Sequence, residues 1–89
     1  MTIDDILEQS QRNLIQFLDA ELDLARTFHD LALTTKNREH SVILTDKAQE
    51  AFETVRHFES RIADQDARAR IHTKADDLQR QMKREGLET

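Results

Sequence analysis

Residues 3–34 read IDDILEQSQRNLIQFLDAELDLARTFHDLALT, a stretch without glycine or proline that decides the fold. Its apolar side chains recur at alternating steps of four and three, the spacing that places residues on one face of an α-helix. Thr2 is suited to cap this helix, with Asp5 three residues later to complete a capping box and Met1 packed on Ile6. The pattern predicts one helix over about 3–34. Its main apolar stripe is Ile3, Leu7, Ser10, Leu14, Phe17, Glu21, Leu24, Phe28 and Leu31, widened by Leu18, Ala25 and Ala32.

A second apolar line runs along the same helix beside the main stripe and consists of Ile15, Leu22 and His29. A helix in a two-helix hairpin needs only one buried stripe, so the second line predicts a further packing partner. That partner is either a C-terminal helix that completes a three-helix bundle or a second copy of the chain. Because the C-terminal segment has few large apolar residues, the sequence favours a homodimer, with Ile15, Leu22 and His29 as the candidate interface.

The middle of the chain predicts a second helix over about 38–63. Asn37 is its preferred cap, and Ser41 is the alternative cap. A short loop between two amphipathic helices produces an antiparallel hairpin, in which Phe28, Phe52 and Phe58 are expected to pack. The stripe of the second helix is Leu44, Ala48, Ala51, Val55, Phe58 and Ile62.

After Ile62 the apolar pattern changes phase. The sequence leaves two alternatives open, a turn that begins a third helix over about 66–85 or one continuous helix whose apolar face rotates. A separate third helix would be capped by Asp64 or Asp66. The new stripe is Ile71, Ala75, Leu78 and Met82.

Gly86 suits the position after a helix end, with Leu87 folded back onto Met82. The whole pattern predicts a single all-α domain over 1–89. Its architecture is a long antiparallel helical hairpin with a third helix or a helical C-terminal extension.

Composition excludes several classes of protein. A chain of 89 residues with one glycine and no proline lacks the turns of β-sandwiches and barrels and the glycine-rich loops of nucleotide-binding folds. The absence of cysteine excludes a disulfide scaffold and a thiol nucleophile, and it fits a cytoplasmic protein. A net charge of −5 disfavours nucleic acid as a partner. No apolar run is long enough to cross a membrane.

Candidate catalytic and metal-binding residues are few. Glu21 interrupts the main stripe, and His29 lies on the second line, so either could line a ligand site in a small enzyme or metal-binding bundle. Pairing with a basic residue or contact with solvent is the favoured interpretation for Glu21, and an interface position for His29. Two acid–histidine pairs have the four-residue spacing of helical neighbours, Glu53 with His57 and His72 with Asp76. We expect no catalytic residue, no cofactor and no bound metal.

Residues 24–32 (LARTFHDLA) and 48–55 (AQEAFETV) place small side chains beside aromatic ones on two paired helices. In this they resemble the helix–turn–helix units of tetratricopeptide repeats and small bacterial helical-hairpin proteins. The helices are longer than those of a 34-residue repeat, and the turn lacks the usual glycine and proline. The resemblance implies a protein-interaction role and supplies no catalytic residue.

The leading hypothesis from the sequence is therefore a non-enzymatic protein-interaction or structural module that self-associates through its first helix. One alternative is a regulatory adaptor that holds a partner helix in an apolar groove beside Ile15 and Leu22. The other is the small enzyme or metal-binding bundle built on His29 or Glu21.

Overall fold

A computed structural model of the chain describes residues 2–86, which form three α-helices. Helix α1 spans Ile3–Thr34, α2 spans Arg38–Phe58, and α3 spans Gln65–Arg84. A short 3₁₀ turn, Glu59–Arg61, follows α2 directly. The all-α hairpin is confirmed, and the last segment is a separate third helix that packs against the hairpin. The contacts expected for Met1 and Leu87 lie outside the described residues.

The ends of the helices follow from local capping chemistry. Thr2 and Asp5 form the predicted capping box, in which each side chain accepts a hydrogen bond from the other residue's backbone N–H at 3.2 Å. Asn37 caps α2 by accepting from the backbone N–H of His40 at 3.1 Å. The alternative cap, Ser41, instead donates its hydroxyl to the carbonyl of Ala32 and so ties the two helices together.

The turn between α2 and α3 is fixed by one buried side chain and one polar side chain. Ile62 has an extended backbone and only 1% exposure, so it anchors the turn in the core. Asp64 then caps α3 by accepting from the backbone N–H of Ala67 at 3.0 Å, which selects Asp64 over Asp66. At the other end of α3, Gly86 has the positive φ of 77° that suits a residue after a helix end.

The core runs between all three helices. The stripes predicted for α2 and α3 both supply buried residues, and Phe28, Phe52 and Phe58 pack half-buried against the core. Small side chains line the contact between α1 and α2, which lets the two backbones approach closely. The buried apolar residues are Leu18, Leu22, Ala25, Ala32, Ala48, Ala51, Val55, Ile62, Ile71, Ala75, Leu78 and Met82.

The main stripe predicted for α1 is not its buried face, although Leu18, Ala25 and Ala32, which were predicted to widen that stripe, are buried. The buried residues of this helix are Leu18, Leu22, Ala25, His29 and Ala32, which we call the inner face. Residues of the predicted main stripe are exposed or half-buried instead. The inner face is rotated by about 100°, one residue, from the predicted stripe. Large side chains outnumber small ones on the predicted stripe, whereas the close contact with α2 requires alanines on α1.

Candidate interaction surface

Two of the three residues of the predicted interface are buried in the core, and the third is half-buried. Leu22 is 1% exposed and His29 is 0% exposed, and both lie on the inner face. Ile15 is half-buried and packs against the core beside a shallow depression that Gln11 and Ala63 also line. The expectation that Leu22 and His29 are available to a second molecule is therefore corrected. Helix α3 packs in the same core as Leu22, so it occupies the position that was predicted for a second copy of the chain.

His29 has a structural contact that links α1 to the end of α3. Its Nε2 lies 3.1 Å from a carboxylate oxygen of Glu85, and since an ionised carboxylate only accepts, Nε2 carries the proton. This hydrogen bond holds the pKa of Glu85 below its ordinary value. The other ring nitrogen, Nδ1, is buried without a hydrogen-bond partner in the described part of the chain.

The apolar surface that the fold leaves uncovered on α1 lies on a different side from the residues named by the sequence analysis. We call it the outer face and define it by Ile3, Ile6, Phe17, Leu24 and Leu31, each at least 43% exposed. Between these side chains lie small or uncharged residues, all of them exposed. They are Ser10, Asn13, Ala20 and Thr27.

Charge is nearly absent from the outer half of α1. At about 100° per residue, every charged residue of the helix except Glu21 falls on the side away from the outer face. The charged residues on that other side are Asp4, Asp5, Glu8, Arg12, Asp19, Asp23, Arg26 and Asp30. Glu21 is half-buried at the margin of the outer face, and among residues 2–86 it forms no ion pair. This charge pattern is readable from the sequence and could have identified the outer face.

The two ends of the outer face differ in how much of the rest of the chain lies beside them. Gln11 marks one end of the bundle, since its side chain donates to the carbonyl of Arg61 at 3.2 Å and accepts from the N–H of Ala63 at 2.8 Å. Residues 3–10 continue beyond this point as an exposed helical overhang. At the other end, Leu31 and the α2 residues Ile43 and Leu44 line an apolar groove. Its remaining lining residues are Thr34, Thr35 and His40.

Ion pairs hold α3 against the charged side of α1. Lys74 donates to Asp19 at 2.7 Å and to Asp23 at 2.8 Å, and Arg70 donates to Asp19 at 3.2 Å. The hydrogen bond from Lys74 is the main reason that the pKa of Asp19 is below its ordinary value. These contacts occupy the acidic residues that flank the inner face and leave the outer face unaffected.

A second ionic cluster joins α2 to α3. Arg56 donates to Glu59 at 3.2 Å and to Asp76, and it holds the pKa of Asp76 below its ordinary value. His72 contacts both carboxylates, which confirms the predicted pair with Asp76. Within residues 2–86, no group of three or more acidic, histidine or cysteine side chains is arranged to hold a metal ion. The ion pairs of Arg56 with Asp76 and of His72 with Glu59 link the end of α2 and the turn after it to α3.

Comparison with known protein families, with curated proteins and with solved structures finds no match to this chain. The resemblance to tetratricopeptide-type and bacterial helical-hairpin proteins stays a prediction. None of the helices in the described residues is both long and apolar enough to span a membrane.

Proposed function

We propose that this protein is a non-enzymatic interaction module that self-associates through the outer face of α1. The observation that carries the proposal is a nearly uncharged face along a helix of 32 residues, on which five large apolar side chains are exposed. Such a helix is about 48 Å long. Exposed apolar surfaces of this extent are typical of protein interfaces rather than of monomers. The absence of cysteine supports a cytoplasmic location for this module.

The outer face replaces the interface that the sequence analysis named, while the hypothesis of self-association through the first helix is retained. Leu22 and His29 stabilise the fold, and Phe17, Leu24 and Leu31 are the residues that a partner would bury. Their spacing of seven residues is that of a coiled-coil seam, which suits contact with another helix.

The proposal is tested by Leu24→Glu, with Leu33→Glu as its matched control. Leu24 is 43% exposed and Leu33 is 41% exposed, but nine residues of helix separate them, which places them on opposite sides of α1. We expect the wild type to sediment with twice the chain mass of 10.4 kDa at micromolar concentrations. Leu24→Glu should raise the dimer dissociation constant by about tenfold or more, because the symmetric contact buries the change twice.

The control should leave both the mass and the helical content unchanged. A wild type that sediments as a single chain up to the highest soluble concentration would overturn self-association. Equal effects of Leu24→Glu and Leu33→Glu would show that the outer face is not the contact surface.

A further inference from the structure

We infer that the contact between α2 and α3 is a pH-sensitive device, in which the charged form of His72 joins the two helices more firmly than the neutral form. The residues that form it, which we call the His72 cluster, are Arg56 near the end of α2, Glu59 in the turn that follows, and His72 and Asp76 on α3. The inference is independent of self-association, because the cluster contains no residue of α1.

Both ring nitrogens of His72 face carboxylates. Nδ1 lies 2.9 Å from Oε1 of Glu59, and Nε2 lies 3.3 Å from Oδ2 of Asp76. A neutral imidazole has a single N–H, so it donates to only one of the two carboxylates, and the lone pair of its other nitrogen faces a carboxylate oxygen. A charged imidazolium has an N–H on each nitrogen. Only the charged ring therefore donates to both carboxylates at once.

Arg56 holds the two carboxylates beside the ring. Its guanidinium donates to Glu59 at 3.2 Å, to Asp76, and to the side-chain oxygen of Gln79 at 3.4 Å. Nη1 of Arg56 also lies 3.2 Å from Nδ1 of His72, and it can donate there while that nitrogen carries no proton. Once Nδ1 is protonated, Arg56 still has its oxygen partners, and the ring donates to Glu59.

The charges in contact with the ring favour its protonated form. They are two carboxylates and one guanidinium, a net charge of −1, so a charged His72 makes the cluster neutral. Glu59 contributes most to this balance, because its carboxylate makes the shorter contact with the ring and is the less exposed of the two.

The other charged residues of α3 have weaker effects on the ring. Arg68 lines an open depression together with His72 and Glu59, and Arg80 pairs with Asp77, one residue beyond the cluster. Both arginines are exposed, so water screens their charges. The residues of α3 that pair with α1 are Arg70 and Lys74, and at about 100° per residue they fall on the opposite side of α3 from His72.

The direction of the effect follows from these partners. A hydrogen bond from Arg56 holds the pKa of Asp76 below its ordinary value, so this carboxylate stays ionised while a histidine side chain gains its proton, between about pH 7.5 and about pH 5.5. In the folded chain the charged ring has two carboxylate partners, and in the unfolded chain it has none. At this position, folding is therefore favoured as the pH falls through that range.

Urea unfolding of the wild type and of His72→Gln at about pH 7.5 and about pH 5.5 tests the inference. The folding equilibrium constant of the wild type, divided by that of the variant, should rise by about two- to fivefold at the lower pH, since the contacts are partly exposed. Added salt should reduce the rise. His57→Gln is the matched control, because His57 is exposed and makes no ion pair within residues 2–86.

Glu59→Gln adds a test of the second carboxylate, because it keeps the size of the side chain and removes its charge. In this background, the pH-dependent effect of His72→Gln should fall by at least about half. An effect of His72→Gln that is the same at both pH values, or smaller in acid, overturns the inference. It is also overturned by an equal effect of His57→Gln, or by an effect that Glu59→Gln leaves unchanged. An effect that grows in acid and that Glu59→Gln reduces supports it.

Discussion

The inner and outer faces of α1 are both apolar, yet only the inner face is covered within the chain. The inner face contains Ala25 and Ala32, and the outer face contains Phe17, Leu24 and Leu31. Small residues let α2 pack closely against α1, whereas the large side chains of the outer face would hold the helices apart. This difference indicates that shape selects the intrachain contact, and the large apolar side chains of the outer face stay exposed.

The largest expected difference between the two faces is in the cost of truncating a leucine. Leu22→Ala should lower the free energy of unfolding by about 2–5 kcal/mol, because it opens a cavity in the core. Leu24→Ala should change the stability of the single chain by no more than about 0.5 kcal/mol. Urea unfolding at a protein concentration at which the chain sediments as a monomer measures both. Equal costs for the two variants would contradict the assignment of the faces.

A smaller difference is expected when an alanine is enlarged. Ala25→Leu should cost about 1–3 kcal/mol, since the added atoms have no space between α1 and α2. Ala20→Leu, on the exposed side, should leave the melting temperature of the monomer within about 2 °C of the wild type. Thermal melts of the two variants are directly comparable because the substitution is the same. A tolerated Ala25→Leu would mean that the contact between α1 and α2 is looser than the structure indicates.

The smallest expected effect concerns the charged margin of the inner face and depends on pH. The pKa of Asp19 in the folded chain lies below its ordinary value of 3.8, so its ion pair with Lys74 stabilises the fold above that value. This stability is lost as the pH falls through the lower, folded-state pKa. Asp19→Asn should therefore cost less than about 1 kcal/mol near neutral pH, since the pair is partly exposed to solvent.

The same substitution should cost nothing at a pH below both pKa values, where Asp19 is protonated in folded and unfolded chains alike. Asp30→Asn is the control, because Asp30 is exposed and makes no ion pair among the described residues. Chemical unfolding of both variants across the acidic range provides the measurement. A cost for Asp19→Asn that does not change with pH would show that its role is not electrostatic.

Much of the architecture was predictable because it depends on local chemistry. The caps Thr2 and Asn37 each place a side-chain oxygen where free backbone N–H groups need an acceptor, so the starts of α1 and α2 follow from nearby residues. The start of α3 stayed open in the sequence, since Asp64 and Asp66 were both candidate caps and a continuous helix was the alternative. The buried stripes of α2 and α3 were also predictable, since each of these helices has only one apolar line. The 3₁₀ turn was missed, and Glu59–Arg61 carries no glycine or proline that would mark it.

The candidate site was less predictable, because α1 has two apolar lines and its sequence does not rank them. Leu22 and His29 were assigned to an interface because they lie off the main stripe and because the C-terminal segment has few large apolar residues. In the folded chain, the position of α3 buries both of them, and Glu85 at the far end of α3 supplies the partner of His29. Such a contact joins residues far apart in the chain and has no local signature.

From the amino-acid sequence alone it follows that the protein is helical, where its first two helices begin, and which faces of α2 and α3 are apolar. The sequence also determined that one side of α1 carries almost no charge. Which apolar line of α1 is buried and which stays exposed depends on the packing of all three helices. The physical reason is that burial of a helix face depends on how closely neighbouring helices can approach it. That distance is set by the side chains of all the helices together.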